Sequence, residues 1–276
     1  MLSSWMLVAN DAINRYADFV NENGGITVQG QNYNIEIVFA DTQSSVEGSA
    51  AAANKLVFDE KIKFVIGGAS FENAALNPIL EQNKVMHLTM GQSPHPDLAS
   101  PQTPYTFMGF TTIAGQGGAM LTALHKEFPE AKTVVFCTND DGNQDIYAKA
   151  LAGPAAKLGF TVLNDGKAIV YAPSIEDMTP VASQVNSMKP DAVMTILTTT
   201  PALGSLCQSL RALGSTIPLV CQALPADVGD FVTAMGGPAA TNIISLAVLR
   251  DDPNSPPKWK AFDAVIPDGP IDFTLA

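Results

Sequence analysis

Short apolar runs rich in β-branched residues alternate along this chain with stretches whose apolar residues recur every three or four positions. The runs are 35–40, 62–66, 85–89, 133–137, 160–163, 192–197, 218–221 and 243–248. Most are nearly continuous in hydrophobicity, the pattern of parallel strands covered on both faces. Between them, Met6, Ala9, Ile13, Tyr16, Ala17 and Val20 mark a helical stripe that Gly24-Gly25 stops. Ser44 to Glu47 reads as a capping box opening a helix through Leu56 and Val57. Ile175, Met178, Val181, Val185 and Met188 form another stripe, ending before Pro190. Leu203, Leu206, Leu210 and Leu213 form a third, ending at Gly214. These stripes are core faces, and strands alternating with them predict an α/β fold with a parallel sheet.

The alternation breaks once, over 94–118, where Pro94, Pro96, Pro101, Pro104, Gly109, Gly115, Gly117 and Gly118 crowd together and 105–112 looks extended. This stretch reads as the passage from one lobe to another, and the turn formers of 250–257 as the return. The expected organisation is a first lobe over 1–113, a second lobe over 114–248, and a partial return toward the first over 249–276. The 276 residues, 46% of them hydrophobic, are ample for two such cores.

A formal net charge of −12 argues against nucleic acid or an anionic membrane surface as partner. No run approaches the roughly 18 apolar residues of a membrane span, and no leader is visible at the start. Cys137, Cys207 and Cys221 sit in apolar periodic segments and read as buried, inert thiols. Their odd number excludes complete internal pairing and leaves a single disulfide open. Enzyme signatures are lacking. There is no phosphate loop and no G-x-S-x-G elbow, and Gly115-Gln116-Gly117-Gly118 is the nearest approach to a dinucleotide fingerprint. His87, His95 and His125 show no metal-ligand spacing, and His87 in a strand run and His125 in a helix run read as structural.

The stretch Asn21-Glu22-Asn23-Gly24-Gly25-Ile26, followed by Ile35-Glu36-Ile37-Val38-Phe39-Ala40-Asp41-Thr42-Gln43-Ser44, resembles the periplasmic branched-chain amino-acid binding proteins. So do Ala51-Ala52-Ala53-Asn54-Lys55-Leu56-Val57, Val65-Ile66-Gly67-Gly68-Ala69-Ser70, Asn139-Asp140-Asp141-Gly142 and the helix end from Gln208 to Gly214. Each motif alone is weak; their order and spacing together are specific. The resemblance implies the type I periplasmic binding fold, two doubly wound parallel-sheet lobes joined by hinge strands. It implies a solute receptor of an ATP-driven (ABC) importer, secreted to the periplasm or the extracellular space, with a membrane permease as partner. It also places a first strand before Trp5 and a further helix, strand and hinge passage after Phe262, so the chain is expected to be incomplete at both ends.

Ligands of parallel α/β sheets sit beyond the carboxyl ends of strands, where helix N-termini favour a carboxylate. The resemblance carries Ser70 and Phe71 after one strand, and Gly91, Gln92 and Ser93 after the next, into such a site. Helix capping is the other use open to Ser70 and Ser93. Trp5 occupies the place of the family's cleft aromatic, with core packing as its alternative. In the second lobe Gly142 or Asn143, the run Thr198-Thr199-Thr200 and the stretch Gln222-Ala223-Leu224 stand where the family carries a tyrosine, an aromatic and an acid, and Asn143, Thr199 and Gln222 are the candidate contacts among them. No carboxylate lies near Gln222; Asp227 is the nearest. A buried ammonium without an opposing charge is costly. The ligand therefore need not be an amino acid, unless Glu72 or Asp145 supplies the charge. The expectation is a monomeric, non-enzymatic binder of a small carboxylate-bearing molecule, without cofactor, metal or membrane insertion. A ligand-sensing domain of a signalling protein and an α/β enzyme are the alternatives.

Overall fold

The computed structural model describes residues 3–43, 45–68, 72–90, 98–109, 111–140, 142–172, 174–196, 198, 200–221, 232–233, 235–237 and 240–245, with backbone alone for 3–9 and 200. The chain forms two units. Unit 1 comprises Met1–Gly91, Ser100–Gly109 and Val248–Ala276; unit 2 comprises Gln92–Ala99 and Phe110–Ala247.

Unit 1 opens with α1 (Ser3–Glu22) and a hairpin of β1 (Ile26–Val28) and β2 (Gln31–Tyr33). The hairpin turns on Gln29 and Gly30, with φ of 51° and 83°, the double left-handed pair that matches strand twist. Then come α2 (Val46–Asn54), a π-helical turn (Lys55–Asp59), β3 (Phe64–Gly67), α3 (Asn73–Gln82), β4 (Met86–Thr89) and β5 (Thr106–Met108). The cap of α2 is Ser45, one residue later than the sequence pattern suggests. Its hydroxyl accepts from Gly48 N at 3.0 Å.

Strands β3, β4 and β5 form a parallel sheet in that order. Val65, His87 and Thr106 share one face and are buried. Val65 joins Ala53, Leu56, Leu76, Leu80 and Val85 in the core beneath α2 and α3. The opposite face presents Phe64, Ile66, Met86, Leu88 and Phe107, with Phe64 70% exposed. Coverage on both faces, expected from the sequence, is therefore absent here among the described residues. The run 35–40 is not a strand either. Ile35 instead exchanges two bonds with the Asn21 side chain, N to Oδ1 at 2.7 Å and Nδ2 to O at 2.9 Å. A strand exists only through its ladder, and no described strand pairs with this segment.

Unit 2 has the two-sided architecture that the sequence predicts. Its elements are α4 (Ile113–Glu127), β6 (Thr133–Asn139), α5 (Gln144–Lys157), β7 (Thr161–Val162), β8 (Ile169–Tyr171), α6 (Thr179–Met188), β9 (Ala192–Ile196), α7 (Thr200–Ala212), β10 (Leu219–Cys221) and β11 (Ile243–Ser245). The sheet is parallel, in the order β11-β10-β9-β6-β7, and β8 pairs with β6 further along the edge that β7 uses. Successive residues of β6 feed opposite cores. Val134 and Phe136 join Leu121 and Leu124 of α4 and Tyr147 and Leu151 of α5. Val135 and Cys137 join Val181 and Val185 of α6 and Leu203, Leu206 and Leu210 of α7. All three cysteines are buried and none is in a disulfide, which excludes the internal disulfide left open by their number.

Helix α4 corrects one reading. Gly115, Gly117 and Gly118, taken from the sequence as part of an irregular passage, lie inside it. Thr112 caps it through Gly115 N at 3.0 Å. A Cβ at Gly117 would stand 2.0 Å from Leu151 Cδ2. The glycine is there to let α5 approach, which outweighs its poor helix propensity.

Candidate functional site

Both sheets end in rims where strands stop and helices begin. In unit 1, β3 ends at Gly67 and passes into Gly68, whose φ is +82°. A Cβ at Gly68 would lie 2.5 Å from Asn73 Oδ1 and 2.6 Å from Leu76 Cδ1, so the backbone runs directly over the first turn of α3. Met90 N donates to Gly67 O at 3.2 Å and Gly109 N to Thr89 O at 3.2 Å, extending the ladder past the ends of β3 and β4. Glu72 precedes α3 and is buried, and its carboxylate accepts the Thr42 hydroxyl at 2.5 Å.

Behind this rim lies a buried histidine. His87 Nε2 is 3.0 Å from Gly67 O, an acceptor only, so Nε2 carries the proton. Nδ1 is 2.7 Å from Asn77 Oδ1, and a neutral ring is satisfied when the Asn77 amide turns its NH₂ to that position. Burial lowers the His87 pKa, against the raising effects of the Gly67 bond and the Glu81 carboxylate. A lowered folded-state pKa means that the unfolded chain binds the proton first. The stability that follows is full above the ordinary 6.5 and is lost as pH falls from there toward the folded value. Urea unfolding between pH 7 and about 5 should show this slope, and His87→Gln should flatten it. An unchanged slope in the variant would assign the acid sensitivity to other groups.

In unit 2, Asp140 N donates to Tyr171 O at 2.8 Å, and the Thr138 hydroxyl to Ile196 O at 3.1 Å, tying the ends of β6, β8 and β9 together. The Tyr171 hydroxyl hydrogen-bonds the Thr198 hydroxyl, which itself reaches Ile196 O at 3.3 Å. Burial raises the Tyr171 pKa and keeps the phenol protonated, although the Thr198 bond works the other way. Asn143 precedes α5, its carbonyl accepting from Ile146 N and Tyr147 N at 2.9 and 3.0 Å. On either side of it, the buried oxygens Asn139 Oδ1 and Gln144 Oε1 have no hydrogen-bond partner among the described residues.

Of the residues that the sequence nominates, Asn143 stands at the unit 2 rim. Trp5 belongs to α1, with its side chain outside the described part; Ser70, Phe71, Gly91, Gln92, Ser93, Thr199 and Gln222 also lie outside the described residues. Of the possible counter-charges, Asp145 is exposed in the first turn of α5, Glu72 is engaged by Thr42, and Asp227 lies outside the described residues. Sequence reasoning missed Asn73, Asn77 and Tyr171, and reached Thr198 only through the run Thr198-Thr199-Thr200.

No helix among the described residues is long and apolar enough to cross a membrane. Residues 2–268 match the family described as periplasmic binding protein. Among solved structures, the chain is similar to the branched-chain amino acid transporter substrate-binding protein of Streptococcus pneumoniae in complex with isoleucine. Identity is 20%, coverage 98% of this chain and 75% of that one, and the TM-score 0.74. A leucine-binding protein of Thermotoga maritima is 22% identical over 94% of this chain and 72% of its own, with TM-score 0.71. An ABC-transporter solute-binding protein of Rhodopseudomonas palustris in complex with p-hydroxybenzoic acid is 20% identical over 97% and 71%, with TM-score 0.73. At such identities the likeness shows the fold, the type I periplasmic binding fold. The family itself is one of non-enzymatic periplasmic binding proteins, which places its members in the periplasm or outside the cell. With nearly its whole length matched, this chain belongs to the periplasmic binding protein family.

Proposed function

We propose that the chain is the monomeric receptor of an ABC importer, working with a membrane permease. Its ligand is a small carboxylate-bearing molecule, either an amino acid or an aromatic or aliphatic organic acid. The lobes of this reading are 1–113 with 249–276, and 114–248, closing on the ligand by a hinge, with Trp5, Ser70, Phe71, Gly91, Gln92, Ser93, Asn143, Thr199 and Gln222 as candidate contacts. The observation that carries the reading is the family match over residues 2–268. The rims support it. Unit 1 offers glycine-exposed backbone and the start of α3 to an anion, and unit 2 offers two unpartnered oxygens to a ligand N–H or O–H.

Thermal unfolding against leucine, isoleucine, benzoate, 4-hydroxybenzoate, acetate and a set of sugars tests this, on protein refolded free of carried-over ligand. A ligand at 100 times its Kd adds about 2.7 kcal/mol of stability. The expected result is a clear rise with one class of carboxylate. A rise confined to sugars, or none with any carboxylate, would reject the ligand class.

A further inference from the structure

Between α3 and β4 the polar side chains are arranged as rungs. Asn77 on α3 and His87 on β4 form one rung, 2.7 Å apart. Asn73 lies four residues before Asn77 and so occupies the same face of α3, one turn nearer its start. Thr89 lies two residues after His87 and so occupies the same face of β4, one step nearer its end. The helix returns along the sheet against the strand direction, so the helical turn and the strand step advance the same way. They cover similar lengths, about 5.4 Å and about 6.6 Å. Asn73 and Thr89 are therefore the next rung.

That rung is buried but unmade. Asn73 is 1% exposed and Thr89 fully buried. Among the described residues, Asn73 Nδ2, Asn73 Oδ1 and Thr89 Oγ1 have no hydrogen-bond partner. Three such atoms together are costly to bury, and Leu76 and Leu80 on the same helix show that apolar residues serve well against this sheet. A buried amide and a buried hydroxyl at the same level of helix and strand, each without a partner among the described residues, are the setting that holds an internal water. Gly68, with its backbone pressed over Asn73 Oδ1, closes the rung toward the loop that follows β3.

We propose that Asn73 and Thr89 hold a resident water between the start of α3 and the end of β4. Through it they act as positioning residues for the backbone at Gly68 and Met90, where β3 and β4 end. The water stands by itself; its influence on binding rests on the receptor reading above.

A high-resolution crystal structure of the ligand-free protein should show one density peak within hydrogen-bonding distance of both the Asn73 amide and the Thr89 hydroxyl. A direct Asn73–Thr89 bond, or an empty rung, overturns the proposal. Thr89→Val removes one of the water's partners without changing side-chain size. It should lower Tm by about 2–4 °C and weaken binding of the probe roughly tenfold, whereas Thr89→Ser should keep both near wild type. The probes are L-isoleucine and 4-hydroxybenzoate. An unchanged or raised Tm in Thr89→Val means that the hydroxyl was satisfied by nothing, and overturns the water. A lowered Tm with unchanged affinity overturns the positioning role. If the wild type binds neither probe, the ligand class fails, while the density and the Tm still decide the water.

Discussion

Replacing Phe136 by alanine should destabilise the protein by about 3–5 kcal/mol. Phe136 is fully buried on β6, the strand that pairs with β9 on one side and with β7 and β8 on the other. It shares one cluster with residues of α4, α5 and β9, so the cavity left by its ring has walls from three elements that cannot all collapse into it. Phe64→Ala is the matching control. That ring is 70% exposed, and its loss should register within about 0.5 kcal/mol. Urea unfolding with unchanged m-value separates the two. If both variants lost equal stability, the exposed face of unit 1 would have to be covered in solution.

The second large effect is a reversal of sign between two identical substitutions. Gly48→Ala should cost about 1–3 kcal/mol, and Gly153→Ala should add about 0.5–1 kcal/mol. Both glycines sit in helices, where alanine is intrinsically favoured. At Gly48 the new Cβ would stand 2.1 Å from Thr42 O and 2.8 Å from Ser45 Oγ. The obstacle is a backbone carbonyl, which cannot swing aside, and moving it would pull on the Ser45 cap. At Gly153 nothing lies within 4 Å. Thermal melts of the two variants test this directly, and a stabilised Gly48→Ala would show that the Thr42 turn yields easily.

The parts of the fold that could be read from the sequence are those where local pattern and tertiary environment agree. β6 and β9 are buried on both faces, so their residues are continuously apolar and stand out. β8 is only three residues, Ile169–Tyr171, separated from β7 by a short turn along the same edge, and too brief to signal itself. β1 and β2 are exposed throughout, and nothing in their hydrophobicity marks them. The run 35–40 carries strand composition, but pairing is not a property of a single segment. At Gly117 the requirement for close helix packing overrode propensity, which only the position of Leu151 reveals. The same logic governs the site. Dispersed motifs identified the family and pointed to loops after particular strands. The relation of Asn73 to Thr89 left no mark in the sequence, because a polar rung is defined by the register of a helix against a strand, not by spacing along the chain.

All three cysteines of the chain fall in unit 2, on β6, α7 and β10, and unit 1 has none. Burial pushes the Cys137 thiol up to about 12 and raises that of Cys207. Since only an exposed thiolate attacks an electrophile, thiol reagents find nothing to modify while unit 2 is closed. The molecule thus carries a built-in clock for one half of itself. The rate of thiol modification reports how often unit 2 opens, and is blind to every opening of unit 1.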